Sequence, residues 1–242
     1  MKLPEMILFD YGDTLMCEKN MNIESAAKAL YSHVKVNPAS LSADDICSGF
    51  VEVYARAQSA LKGSGADMHV VDVQRLACAC MGIELDIGYD ESELLFWNCA
   101  VGGEPMPRMR ELLALMNEKG IRSAVISNIS FSGESMRKRL DEYLPENRFE
   151  FIIASCDYIF KKPEALLFEA ALKKAGLPAD RVWFCGDSFN ADVKGAASAG
   201  IYPVWYNASK RARPQDANDY DYTEIHDFGE LIKTIGEVTT CA

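Results

Sequence analysis

The chain has 242 residues, of which 49% are hydrophobic and 25% charged, and a formal net charge of −11. That length suits one large domain, or a core carrying a smaller inserted one, and the composition is that of an ordinary globular protein. The acidic balance argues against a nucleic-acid partner, and no segment approaches the roughly 18 apolar residues of a membrane span.

In chain order, Met6-Ile7-Leu8-Phe9 reads as a buried strand that ends abruptly in Asp10-Tyr11-Gly12-Asp13-Thr14. The block that follows is rich in Ala, Leu, Glu and Lys at helical spacing, over Ile23 to Val34, Ala43 to Leu61 and Val70 to Met81, and shows no strand alternation. From Arg108 onward the pattern alternates. Met109 to Lys119 is helical and stops at Gly120, Ser123 to Ser127 is a strand, Glu134 to Leu144 is helical, and Phe149 to Ala154 is a strand. Pro163 and Gly176 bracket a helix as a proline-in, glycine-out pair. Val182 to Cys185 is a strand, Asn190 to Ala199 a helix, and Tyr202 to Tyr206 a strand. A polar loop from Asn207 to Tyr222 and a helix from Phe228 to Ile235 close the chain. Alternating strands and helices predict an α/β fold with a doubly wound, mostly parallel sheet. The predicted division is a core of residues 1–15 and 101–242, with residues 16–100 inserted as an all-helical domain.

Eight cysteines (Cys17, Cys47, Cys78, Cys80, Cys99, Cys156, Cys185, Cys241) form no Cys-x-x-Cys pair, and Cys78-x-Cys80 is a poor zinc spacing. The first apolar run is too short for a signal peptide. Reduced thiols in a soluble, cytoplasmic protein are the expectation. The histidines at 33, 69 and 226 are too dispersed for a metal triad.

Polar clusters stand at the carboxyl ends of the predicted strands, where parallel sheets bind ligands. They are Asp10-Tyr11-Gly12-Asp13-Thr14, Ser127-Asn128, Lys161-Lys162-Pro163, and Gly186-Asp187 with Asp192 five residues on. Carboxylates with a hydroxyl and a lysine in one cleft suit a divalent cation and a phosphoryl group.

This order resembles the haloacid dehalogenase-like hydrolase superfamily, on Asp10-x-x-x-Thr14, Ser127, Lys162-Pro163 and Gly186-Asp187 with Asp192. The resemblance implies a Rossmann-like core with a helical cap that sets substrate choice, and a phosphatase of small phosphorylated metabolites. Asp10 would be the nucleophile of an aspartyl-phosphate mechanism. Mg²⁺ would lie on Asp10, the Gly12 carbonyl and Asp187, with Asp192 as a ligand or supporting carboxylate. Ser127 and Asn128 would bind the phosphoryl group, Lys162 would neutralise charge on Asp10 and phosphate, and Thr14 would hold the loop. Lys161 is the rival to Lys162.

One departure stands out. The family's phosphatases carry a second, acid–base aspartate two residues after the nucleophile; here that position is Gly12, and the acid is Asp13. A one-residue shift reverses side-chain direction in extended chain, so a slow phosphatase, or one that prefers good leaving groups, is expected, with Asp13, a cap residue or water supplying part of the function. Three alternatives stay open: a binding or regulatory protein with little turnover, a dehalogenase, and a phosphonate hydrolase using a cap lysine (Lys19, Lys28, Lys35 or Lys62). Phe96 and Trp97 are candidates to line a substrate pocket.

Overall fold

A computed structural model describes residues 3–237; Cys241 lies outside them. In chain order the core begins with β1 (Met6–Phe9) and leaves through the two-residue strand β2 (Met16–Cys17). There follow α1 (Ile23–Tyr31), β3 (Val34–Val36), α2 (Ala43–Leu61), α3 (Val70–Met81), β4 (Glu84–Leu85) and α4 (Tyr89–Ala100). The chain returns through β5 (Glu104–Pro105) to α5 (Met109–Lys119), β6 (Arg122–Ser127), α6 (Gly133–Tyr143), β7 (Phe149–Ala154), α7 (Ser155–Tyr158) and α8 (Ala165–Ala175). It ends with β8 (Val182–Gly186), α9 (Lys194–Ser198), β9 (Tyr202–Tyr206), β10 (Thr223–Ile225) and α10 (Phe228–Glu237).

Six strands form one parallel sheet in the order β10-β9-β8-β1-β6-β7. The period of two along each strand sends alternate side chains to opposite faces. Ile7, Phe9, Val125, Trp183 and Tyr206 pack with Leu112 and Met116 of α5, Leu140 of α6 and Phe228 of α10. Met6, Leu8, Ile126 and Phe184 pack on the other face with Phe168 and Ala171 of α8 and Ala196 of α9. Both faces are covered, so every β1 residue is fully buried and the sequence reads there as an unbroken apolar run. The chain leaves β1 for β6 on one side and later returns to β8 on the other. That reversal opens a crevice beyond the carboxyl end of β1, where ligands bind in such sheets.

Helices α1 to α4 pack on one another between β1 and β6. β2 and β5 pair antiparallel, Met16 with Pro105 and Cys17 with Glu104, and so join the outgoing and returning chains. The sequence predicts helix alone here, yet β3 and β4 also pair, through Val34 and Leu85. Strands of two or three residues are too short to show alternation. Helix α8 begins at Ala165, two residues beyond Pro163, so the proline lies in the turn before the helix; Glu164 N–H donates to Lys161 O at 3.0 Å. The segment expected as one helix from Asn190 is a turn of π-helix (Phe189–Val193) running into α9. No described helix is long and apolar enough to cross a membrane. The seven described cysteines are free thiols.

Candidate active site

β1 continues one hydrogen bond past its end, with Asp10 N–H donating to Cys185 O at 2.9 Å, and this places the Asp10 carboxylate at the mouth of the crevice. The chain then folds back tightly: Leu15 and Met16 N–H both donate to Tyr11 O, and Asp13 N–H donates to Met16 O. Asp13 sits at the left-handed φ of 51°, which aspartate tolerates better than most side chains. Gly12 is exposed with open space around its Cα, and a Cβ there would meet nothing within 4 Å. The Thr14 hydroxyl is buried with no hydrogen-bond partner among the described residues.

Lys162 is the pivot. Its ammonium is almost wholly buried and lies 2.7 Å from both Asp10 Oδ1 and Asp192 Oδ1. Burial works against the charged amine, but the two carboxylates outweigh it and raise its pKa above the ordinary value. Asn128 holds the lysine's backbone from both sides: its Oδ1 accepts from Lys162 N–H at 2.7 Å and its Nδ2 donates to Lys162 O at 3.0 Å. Lys161 turns away and pairs with the buried Asp67 at 3.1 Å.

Asp192 is fixed by the π turn. Its Oδ2 accepts from Ser188 N–H at 2.8 Å, and Ser188 Oγ accepts from Ala191 N–H at 3.3 Å. The carboxylate packs so closely on Gly186 that any Cβ there would collide with it. Burial pushes Asp192 up to about 6, against the pull of Lys162. Asp187 is raised as well, chiefly by burial, with Arg211 opposing. Ser127, at the end of β6, is buried beside β1.

Asp10, Asp187 and Asp192 each bring a carboxylate oxygen to within 4.8 Å of the others. An oxygen-only, carboxylate-rich set is the donor chemistry of a hard divalent cation. Lys162 engages one oxygen of Asp10, and Arg211 engages Oδ2 of Asp187 at 2.7 Å. Arg211 is the residue that sequence reasoning missed: the Lys210-Arg211-Ala212-Arg213 cluster reads as a solvated loop. It reaches the site because Asn207 Oδ1 accepts from Arg211 N–H at 2.7 Å and closes that loop. Cys17 lies in β2, and Trp97 is wholly buried against Phe131, with ring centroids 4.2 Å apart. His69 caps α3 and lies 3.6 Å from Asp157, while His33 pairs with Asp86 at 2.9 Å.

Residues 5–200 match the haloacid dehalogenase-like hydrolase family, and the chain belongs to it. A glyceraldehyde 3-phosphate phosphatase of Methanothermobacter thermautotrophicus is 30% identical over 131 residues, 52% of this chain and 57% of that protein. A pyrimidine 5'-nucleotidase of Escherichia coli is 29% identical over 96 residues, 39% of this chain and 43% of that protein. The chain thus matches about half the length of these curated relatives. Among solved structures, a 2-haloacid dehalogenase of Pseudomonas syringae aligns with a TM-score of 0.65 at 21% identity, covering 98% of this chain and all of that one. A phosphatase of Thermococcus onnurineus aligns with a TM-score of 0.60 at 21% identity, over 96% and 97% of the two chains. At such identities the structural likeness concerns the fold alone.

Proposed function

We propose that this haloacid dehalogenase-like hydrolase is a Mg²⁺-dependent phosphomonoester hydrolase that works through an aspartyl phosphate on Asp10. The carrying observation is Lys162, held at 2.7 Å from both Asp10 and Asp192 beside Asp187. A buried ammonium flanked by carboxylates lowers the repulsion that a phosphate dianion would meet on approaching an acidic cleft. The phosphatase names of the sequence relatives support the same reaction class.

In the first step an Asp10 oxygen bonds to phosphorus as the ester P–O bond breaks, and the departing alkoxide takes a proton from a water molecule in the crevice, the usual acid position being Gly12. In the second, water bonds to phosphorus, its proton passes to a base, and the Asp10 carboxylate is regenerated with release of inorganic phosphate. Lys162 neutralises Asp10 and the phosphoryl oxygens and Ser127 flanks the phosphoryl group, whereas the Asn128 side chain, expected to bind phosphate, is taken up by the Lys162 backbone and acts by holding the lysine in place. Asp10, Asp187 and the Gly12 carbonyl would hold Mg²⁺, with Asp192 supporting them through Lys162 and Ser188. The cation would supply positive charge against the phosphoryl oxygens. Residues 16–100 serve as the cap over a core of residues 1–15 and 101–242.

Phosphate release from acetyl phosphate with Mg²⁺ tests this reading. EDTA and Asp10→Asn should each reduce it by at least about 10³-fold, the scale expected when a nucleophile or a charge-stabilising group is lost. Turnover that survives Asp10→Asn removes the covalent mechanism. Phosphate binding without turnover would leave a binding or regulatory protein in its place.

A further inference from the structure

A cavity of about 370 Å³ lies between the helical block and the core. Its lining includes Asn128 and Lys161, the chain neighbours of Ser127 and Lys162 at the carboxylate crevice. The side chains facing it from the helical block are mostly apolar or aromatic, among them Phe50, Val51 and Tyr54 of α2 and Val73 of α3, with Gln58, Asp67 and Gln74 the polar ones. Ile129 and Phe131 continue that surface on the core side.

Two further observations point to an occupant. Met21, Ile23 and Val51 line this cavity while remaining 51%, 38% and 45% exposed, an arrangement that leaves apolar surface in water unless something covers it. Gln74 also lines it and is 1% exposed, yet one end of its amide has no hydrogen-bond partner among the described residues; the other end meets Ser92 Oγ at 2.7 Å. Buried amides are normally satisfied at both ends.

We infer that this cavity receives the alcohol part of the substrate, and that this part is a bulky apolar group, an aryl or branched alkyl chain, rather than a small polyol. The inference rests on the phosphatase reading, because the phosphoryl group at Asp10 anchors one end of such an ester. A dry cavity of about 150 Å³ suffices for benzene, so the volume here accommodates a ring with substituents. A mostly apolar wall selects by burying apolar surface and by leaving most hydroxyls of a polyol without partners. Gln74 adds an unpaired hydrogen-bonding position to this mostly apolar wall, while Asp67 and Lys161, which also line it, are paired with each other.

The test compares kcat/KM for benzyl phosphate and glycerol 3-phosphate, both esters of primary alcohols, with acetyl phosphate as the substrate that carries no large group. Native protein should favour benzyl phosphate over glycerol 3-phosphate by roughly 10- to 100-fold. Val51→Asp, at an exposed position where the charge is tolerated by the fold, should cut that ratio about tenfold, mainly by raising KM for benzyl phosphate. Turnover of acetyl phosphate without a preference for benzyl phosphate overturns the inference and leaves the phosphatase reading standing. A ratio unchanged in Val51→Asp likewise overturns it. Absence of turnover on all three compounds overturns the phosphatase reading, and this inference with it.

Discussion

Gly12 and Asp13 stand in reverse order relative to the family's phosphatases, and the backbone shows what the reversal does. The left-handed conformation falls on Asp13, where glycine would be freer, while Gly12 occupies ordinary backbone with unfilled space about its Cα. Asp13 is exposed, and its charge contributes, as the weakest cause, to raising the pKa of Asp187. A carboxylate that near supplies negative potential to the site, but from the neighbouring position on the loop. Restoring the usual order, with Gly12→Asp and Asp13→Gly together, relieves the left-handed aspartate and fills open space, so the fold should accept it. The double variant should raise kcat for an alkyl phosphate by roughly 10²- to 10⁴-fold, the ordinary worth of general acid–base catalysis. The gain should shrink for an aryl phosphate, whose leaving group needs no proton. Equal kcat in the native protein and the double variant on the alkyl ester would show that the native loop already supplies the acid.

At the scale of elements, the loop after β1 and helices α4 and α6 meet at one buried cation. Arg139 of α6 is fully buried, pairs with Glu18 at 2.7 Å, and donates to the side chain of Asn98 and to Val101 O. Its guanidinium lies 4.7 Å from the Trp97 ring, and Glu18 also accepts from Tyr11 OH at 2.7 Å and from Trp97 Nε1 at 3.1 Å. Removing one partner of such a pair strands the other in a dry site. Arg139→Met should therefore cost about 3–5 kcal/mol in urea unfolding. Combined with Glu18→Gln, the loss should fall short of the two single losses added, by about 0.5–3 kcal/mol. Strict additivity would mean that the pair makes no joint contribution. This junction was not legible in the sequence, where Glu18 and Arg139 are simply two polar residues far apart. The core strands β1, β6, β8 and β9 were legible because burial on both faces leaves apolar runs, and the edge strand β7 because only Glu150 interrupts its apolar run. By contrast, β10 holds only Thr223, Glu224 and Ile225, pairs on one side alone, and is too short to show alternation. The residues at the strand ends could be read because parallel topology itself gathers them. Arg211 could not, since its approach depends on how a polar loop closes around Asn207.

On the scale of the whole molecule, a cation site shows itself as stability. A ligand that binds only the folded state stabilises it by about 2.7 kcal/mol at one hundred times its dissociation constant. For a chain of this size each kcal/mol moves Tm by about 2–4 °C, so saturating Mg²⁺ should raise Tm by roughly 5–10 °C. Asp187→Asn should abolish most of that shift, whereas Lys161→Ala should not, because Lys161 pairs with Asp67 away from the carboxylate cluster. The pH dependence follows from burial. Asp187 and Asp192 are raised in the folded protein, Asp192 to about 6, while an unfolded aspartate titrates at about 3.9. The folded metal-free state therefore binds more protons than the unfolded chain between those values. From these two groups, its stability is gained as pH falls through about 6 and lost again as pH rises. Mg²⁺ bound by these carboxylates, as proposed, would need them deprotonated and would compete with those protons. The Mg²⁺-induced shift in Tm should consequently be largest near pH 8 and shrink steadily toward pH 5.5. A shift that is independent of pH, or that persists in Asp187→Asn, would place the cation somewhere other than the crevice beyond β1.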